Sequence, residues 1–136
     1  MNETKPVKVQ LTDGTIKECS IDIMSSSPAK LLFSGLRLPK RDFLGDDLFE
    51  AVIALRLELE TIGAQLLCIG SRRDAFPSGM SRDMGGGRKV SIACLGNPMN
   101  EKLFDIFDYA EPELVSSVAD QNEFHEKWIA SLKSRR

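Results

Sequence analysis

Residues 71–89 read Ser71-Arg72-Arg73-Asp74-Ala75-Phe76-Pro77-Ser78-Gly79-Met80-Ser81-Arg82-Asp83-Met84-Gly85-Gly86-Gly87-Arg88-Lys89, a run that concentrates guanidiniums, carboxylates, serines and glycines. Two chemistries are open to such a set. Arg72, Arg73, Arg82, Arg88 and Lys89 can clamp a phosphate or carboxylate ligand, because an arginine fork matches two anionic oxygens at once. The same forks, set beside Asp74 and Asp83, can instead bond carboxylates and loop carbonyls and hold an irregular segment in one shape. Gly85-Gly86-Gly87 would let backbone amides approach an anion. It lacks the signature of a nucleotide loop, however. The spacing from Gly79 to Gly85 is too long, Val90 stands where Ser or Thr would hold magnesium, and the run feeds a strand instead of a helix.

Hydrolytic and redox chemistry find less support. His125 is the only histidine, so any histidine-based triad must run through it, and no nucleophile motif points to it. It reads as a surface or boundary residue. Asp74 and Asp83, beside arginines, have no cause for the raised pKa of a general base. Cys19, Cys68 and Cys94 are odd in number and widely spaced, which suggests neither a disulfide framework nor a zinc site. They read as reduced core thiols, with Cys68 and Cys94 on apolar strand positions where burial makes a thiol a poor nucleophile. No catalytic residue, metal site or cofactor is assigned.

Charge is distributed unevenly. The 136 residues carry a net charge of −2, which argues against nucleic acid as a partner, since a dedicated binder carries excess Lys and Arg. Residues 71–89 are basic, whereas Glu101, Asp105, Asp108, Glu111, Glu113, Asp120, Glu123 and Glu126 face Lys102 alone. Asp105, Asp108, Glu111 and Glu113 are therefore the expected contacts for a basic protein partner, complementary charge giving fast association and partner selection. No apolar leader or membrane-length window occurs, and a cytoplasmic location is the expectation.

The elements that position these residues follow from periodicity. With 42% apolar and 28% charged residues, the chain is expected to form one domain over residues 1–136. Val7, Val9 and Leu11, then Cys19, Ile21 and Ile23, alternate about the turn Thr12-Asp13-Gly14-Thr15 and predict an antiparallel hairpin. Ser25-Ser26-Ser27-Pro28 breaks that pattern, Leu31-Leu32-Phe33 predicts a third strand, and 37–41 reads as loop. Asp47 and Glu50 stand in capping-box spacing ahead of a helix whose stripe is Leu48, Val52, Leu55, Leu59 and Ile62, flanked by Phe49 and Ile53. Gly63 would cap it. Residues 64–69 read as a central strand, 90–95 as another, and 103–107 as strand in preference to helix. A C-terminal helix opens near Ser117, with the stripe Phe124, Trp128 and Leu132 and with Lys133, Arg135 and Arg136 at its negative end. The sum is an α+β fold, a mostly antiparallel sheet with one central and one C-terminal helix. A connection as long as 71–89 inside a domain is usually functional or disordered, and its apolar residues favour an ordered loop. Phe76 and one or both of Met80 and Met84 are expected to anchor it inwards.

The segment from Ile69-Gly70 through Lys89, with Asp105-Ile106-Phe107 and the Trp128 helix, resembles a family of small uncharacterised bacterial proteins. In size, acidity and α+β build the chain also resembles immunity proteins that neutralise polymorphic toxins, including those of contact-dependent growth inhibition. This second resemblance implies a small, stable, cytosolic, non-enzymatic protein that binds one toxin domain, often a basic nuclease, and blocks its active site. The competing reading is a phosphate- or carboxylate-binding protein or enzyme that uses the arginines of 71–89.

Overall fold

Alternation along the first strands does what the hairpin pattern predicts. In the computed structural model, which describes residues 3–24 and 28–133, β1 (Glu3–Gln10) pairs antiparallel with β2 (Ile16–Met24), and β3 (Ala29–Ser34) pairs antiparallel with β2. Val7, Val9, Cys19, Ile21, Ile23, Leu31 and Phe33 all fall on one buried face. A fourth strand, β4 (Asp42–Gly45), was not expected after the 37–41 loop. It adds to the edge of β3, with Phe43 turned into the core. The break expected at residues 25–27, and Arg135 and Arg136, lie outside the described residues.

One helix covers that apolar face. Asp47 is the N-cap of α1 (Leu48–Glu60), its carboxylate accepting the Glu50 N–H at 2.9 Å. Leu48, Phe49, Val52, Leu55 and Leu59 are buried against the sheet. Ile62, the last residue of the expected stripe, lies beyond the end of the helix and is exposed. Gly63 takes the left-handed φ of +71° that the turn into β5 (Gln65–Leu66) requires. A central strand over 64–69 does not form. Only Gln65 and Leu66 join the large sheet, at its edge in the order β4-β3-β2-β1-β5, and Cys68 makes a single antiparallel bridge to Tyr109 before the chain bends into a 3-10 turn, Ile69–Ser71.

The second half builds a smaller antiparallel sheet of β6 (Ala75–Phe76), β7 (Lys89–Ile92) and β8 (Phe104–Asp105). Both β7 and β8 are shorter than the strands expected at 90–95 and 103–107. A seven-residue helix, α2 (Gly79–Gly85), interrupts the expected loop, capped by the Ser78 hydroxyl and closed by Gly86 at φ +64°. The C-terminal helix is α3 (Val118–Lys133). Ala75, Val90, Ile106 and Phe107 join the same buried cluster as the first sheet, while Phe76, Ala93 and Trp128 form a second one with Met99, Phe124 and Leu132 at its margin. Among the described residues the fold is α+β, with two antiparallel sheets and three α-helices.

Candidate protein-contact surface

The basic loop is answered from within the molecule. Arg72 meets Asp74 through two parallel bonds, Nε to Oδ1 and Nη2 to Oδ2, each 2.9 Å. Arg82 crosses to the start of α1, where Nη1 lies 3.0 Å from Asp47 Oδ2 and 3.4 Å from Glu50 Oε1. Arg88 grips two carboxylates, Asp105 through Nε and Glu3 through both terminal nitrogens at 3.0 and 3.1 Å. Hydrogen bonding to Glu3 is the main cause of the raised Arg88 pKa, so this guanidinium stays charged throughout the accessible pH range. Arg73 lies over the Phe124 ring at 5.3 Å, and Lys89 is exposed at the start of β7. Phe76 is buried as expected. Met80 and Met84 are not, with 71% and 83% of their surfaces exposed, because the α2 face they share points away from α1, to which Arg82 is tied.

A buried polar node supports the same segment and carries no sequence signature beyond the two residue types. Arg56 and Gln121 are almost wholly inaccessible. Arg56 donates to Gln121 Oε1 at 2.6 Å and to the carbonyls of Gly70, Ser71 and Ser116. The Gln121 amide donates in turn to the carbonyls of Gly70, Arg72 and Ala75. Desolvation lowers the Arg56 pKa, and the carbonyl dipoles around it supply the solvation that water would otherwise give. Arg56 sits among the buried Val52, Leu55 and Leu59 of α1, where a cation is tolerated only with such partners. Only the tertiary fold brings the irregular backbone at 70–71 and at Ser116 to it.

The acidic segment divides. Asp105 is set into the fold and is removed from the expected contact set. Its side chain is 16% exposed, and it bonds Arg88 and the Phe107 N–H. Burial alone would raise its carboxyl, but the Arg88 bonds, the Phe107 N–H and the nearby positive charges outweigh burial and hold it below the usual value. Asp108, Glu111 and Glu113 face outwards; Asp108 lies 3.9 Å from Lys5 with 56% of its side chain exposed. Beside them, a groove of about 490 Å³ runs between β1 and residues 107–109, lined by Pro6, Val7, Leu67, Phe107 and Tyr109. The segment behind it is held by backbone bonds from Ile69 N–H to Asp108 O and from Ala110 N–H to Leu67 O. Tyr109 is 45% exposed, and the Lys8 ammonium lies 5.2 Å from its ring centre.

The remaining candidates are placed as follows. His125 packs on Phe76 with ring centres 4.5 Å apart and on Trp128 at 6.0 Å. Cys68 is buried with its pKa raised by desolvation, its Sγ 3.4 Å from the Ser71 hydroxyl, and burial likewise raises Cys19. Cys94 is exposed, because β7 ends at Ile92 and leaves it in a turn. Among the described residues, no group of three His, Cys, Asp or Glu side chains is placed to hold a metal ion, and no helix is long and apolar enough to cross a membrane. Neither a protein-family model nor a curated protein matches this chain.

Proposed function

We propose that the chain is a non-enzymatic binding protein that engages a basic protein partner through its acidic surface, in the manner of an immunity protein that masks a toxin domain. One observation carries this reading. Arg72, Arg82 and Arg88 are each answered by carboxylates of their own chain, whereas Glu111 and Glu113 stand exposed and Asp108 is more than half exposed. Three of the four arginine forks that an anionic ligand would need are spent on architecture, which weighs against the ligand-clamp reading. The carboxylates that a basic protein would meet are exposed, with Asp108 and Glu111 held only by long contacts, 3.9 Å to Lys5 and 3.5 Å to the Tyr109 hydroxyl.

The test combines capture and charge reversal. Immobilised wild-type protein should recover a stoichiometric basic partner from the native host, with an association rate that falls steeply with salt. The variant Asp108→Lys, Glu111→Lys, Glu113→Lys should bind that partner at least about tenfold more slowly at low salt. Recovery of no partner, or capture undiminished by the triple reversal, contradicts the proposal. Where the partner is a toxin, co-expression should restore growth with the wild type and not with the reversed variant.

A further inference from the structure

The β1 edge is unfinished beside the groove. The β1–β5 ladder covers Val9 and Gln10 and adds one bond, from Leu67 N–H to Lys8 O at 2.8 Å. Successive residues of a strand turn their backbone groups to opposite sides, so the Pro6 carbonyl points the same way as that of Lys8, into the groove. This also explains a proline within β1. Its missing N–H lies on the side away from β2, where no ladder bond is lost. The floor beneath this edge is apolar, made by Val7, Leu67, Phe107 and Tyr109. One wall is cationic, but both cations are engaged, Lys5 with Asp108 and Lys8 with the Tyr109 ring and opposite Glu18 in the β1–β2 register. On the other side stand Asp108 and Glu111, the latter within 3.5 Å of the Tyr109 hydroxyl.

We propose that this groove receives an extended segment of the protein partner, a single apolar side chain seated against Leu67, Phe107 and Tyr109 and flanking Lys or Arg residues meeting Asp108 and Glu111. The inference rests on the binding function proposed above and specifies where and how the partner docks. An apolar centre with a polar, charged rim is the anatomy of a specific interface, and tyrosine, like the partly exposed Tyr109 here, is among the side chains that most often dominate such a contact. Backbone pairing to the β1 edge would hold the segment extended, as in strand addition. The Pro6 carbonyl restricts its register, because that position accepts a hydrogen bond and cannot donate one.

The experiment is an NMR titration of the full-length, ¹⁵N-labelled chain with three short capped peptides. The first has a central leucine flanked by arginines, the second glycine in place of the leucine, and the third leucine flanked by glutamates. Saturable shifts confined to Lys5, Val7, Lys8, Leu67 and residues 107–111 are expected with the first peptide. The other two should bind at least about tenfold more weakly, the scale of one apolar side chain lost from a pocket. Tyr109→Ala and Glu111→Lys should each weaken the first peptide, with the amide spectrum elsewhere unchanged. Equal binding of the leucine and glycine peptides, or shifts centred on α3, would overturn the proposal. So would concentration-dependent shifts of these amides without peptide, which would assign the groove to a second copy of the chain. The two readings fail separately. A captured partner that is lost on charge reversal but indifferent to Tyr109→Ala leaves the binding function standing and removes the groove.

Discussion

Arg56 Nη1 lies 2.6 Å from Gln121 Oε1, joining the helix on the large sheet to the C-terminal helix through two buried side chains. Around this bond the carbonyls of Gly70, Ser71, Arg72, Ala75 and Ser116 converge. The irregular chain at 69–76 and the approach to α3 therefore depend on one another. Gln121→Ala should cost about 3 kcal/mol, because it removes a hydrogen bond from a buried cation and leaves buried carbonyls without donors. Urea denaturation with an unchanged m-value is the measurement, and a loss under about 1 kcal/mol would show that the node is dispensable.

The loop arginines make an ordered segment the second expectation. Fixing backbone costs about 1–2 kcal/mol per residue, and burial of Ala75 and Phe76 together with the Arg72–Asp74 and Arg82–Asp47 pairs offsets it. Hydrogen exchange should find the Ala75 and Ala93 amides protected, since they donate to Arg72 O and Asp74 O. The exposed α2 should exchange faster. Rapid exchange throughout 69–93 in the free protein would refute a preformed loop.

Gly86 and Gly87 both have positive φ, but their surroundings differ. A Cβ on Gly86 would meet open space, whereas one on Gly87 would come 2.7 Å from the Asp47 carboxylate carbon. Gly86→Ala should cost about 1 kcal/mol from the left-handed conformation alone. Gly87→Ala should cost about 2–3 kcal/mol, because it also displaces the N-cap of α1. Thermal melts that rank the two variants equally would contradict this reading.

Arg88 sets an acid limit. It lowers the Glu3 carboxyl, chiefly by hydrogen bonding, and its bonds and charge help hold Asp105 below its usual value against burial. Folded-state values below the unfolded ones give stability that is complete above about pH 4–5 and is lost as the pH falls through the lowered values. Arg88→Ala should therefore be less stable than the wild type at pH 7, and the gap should close in acid. A gap of constant size from neutral pH to about pH 3 would show that these pairs add nothing.

The cysteines offer a separate check on the packing. Cys94 should react with a thiol reagent in the native protein, whereas Cys68, buried with a raised pKa, and Cys19 should react only on unfolding. Mass spectrometry after brief alkylation reads the sites directly. Labelling of Cys68 as fast as Cys94 would mean that the core near Arg56 opens readily.

Short-range chemistry was legible in the residues themselves. The alternation of Val7, Val9, Cys19, Ile21 and Ile23 determined a hairpin with one buried face, and Asp47 with Glu50 determined where α1 begins, because both signals act between neighbours along the chain. Strand lengths and partners were decided by the tertiary structure. The apolar run at 64–69 reads as a central strand, yet it yields a two-residue edge strand, since the 3-10 turn at Ile69–Ser71 diverts the backbone to meet residues 106–110. The same holds for charge. The sequence allows Arg72, Arg82 and Arg88 either to clamp a ligand or to bond carboxylates of the chain, and it offers Asp74 beside Arg72; but Glu3, Asp47 and Asp105, distant along the chain, arrive beside Arg82 and Arg88 only on folding. Asp105 leaves the contact surface for that reason, while Asp108, Glu111 and Glu113 remain on it. Arg56 is the plainest case, because burial of a cation depends on three carbonyls from two segments far apart in the chain, the turn at Gly70 and Ser71 and the approach to α3 at Ser116, and no local pattern of residues specifies where those carbonyls will meet.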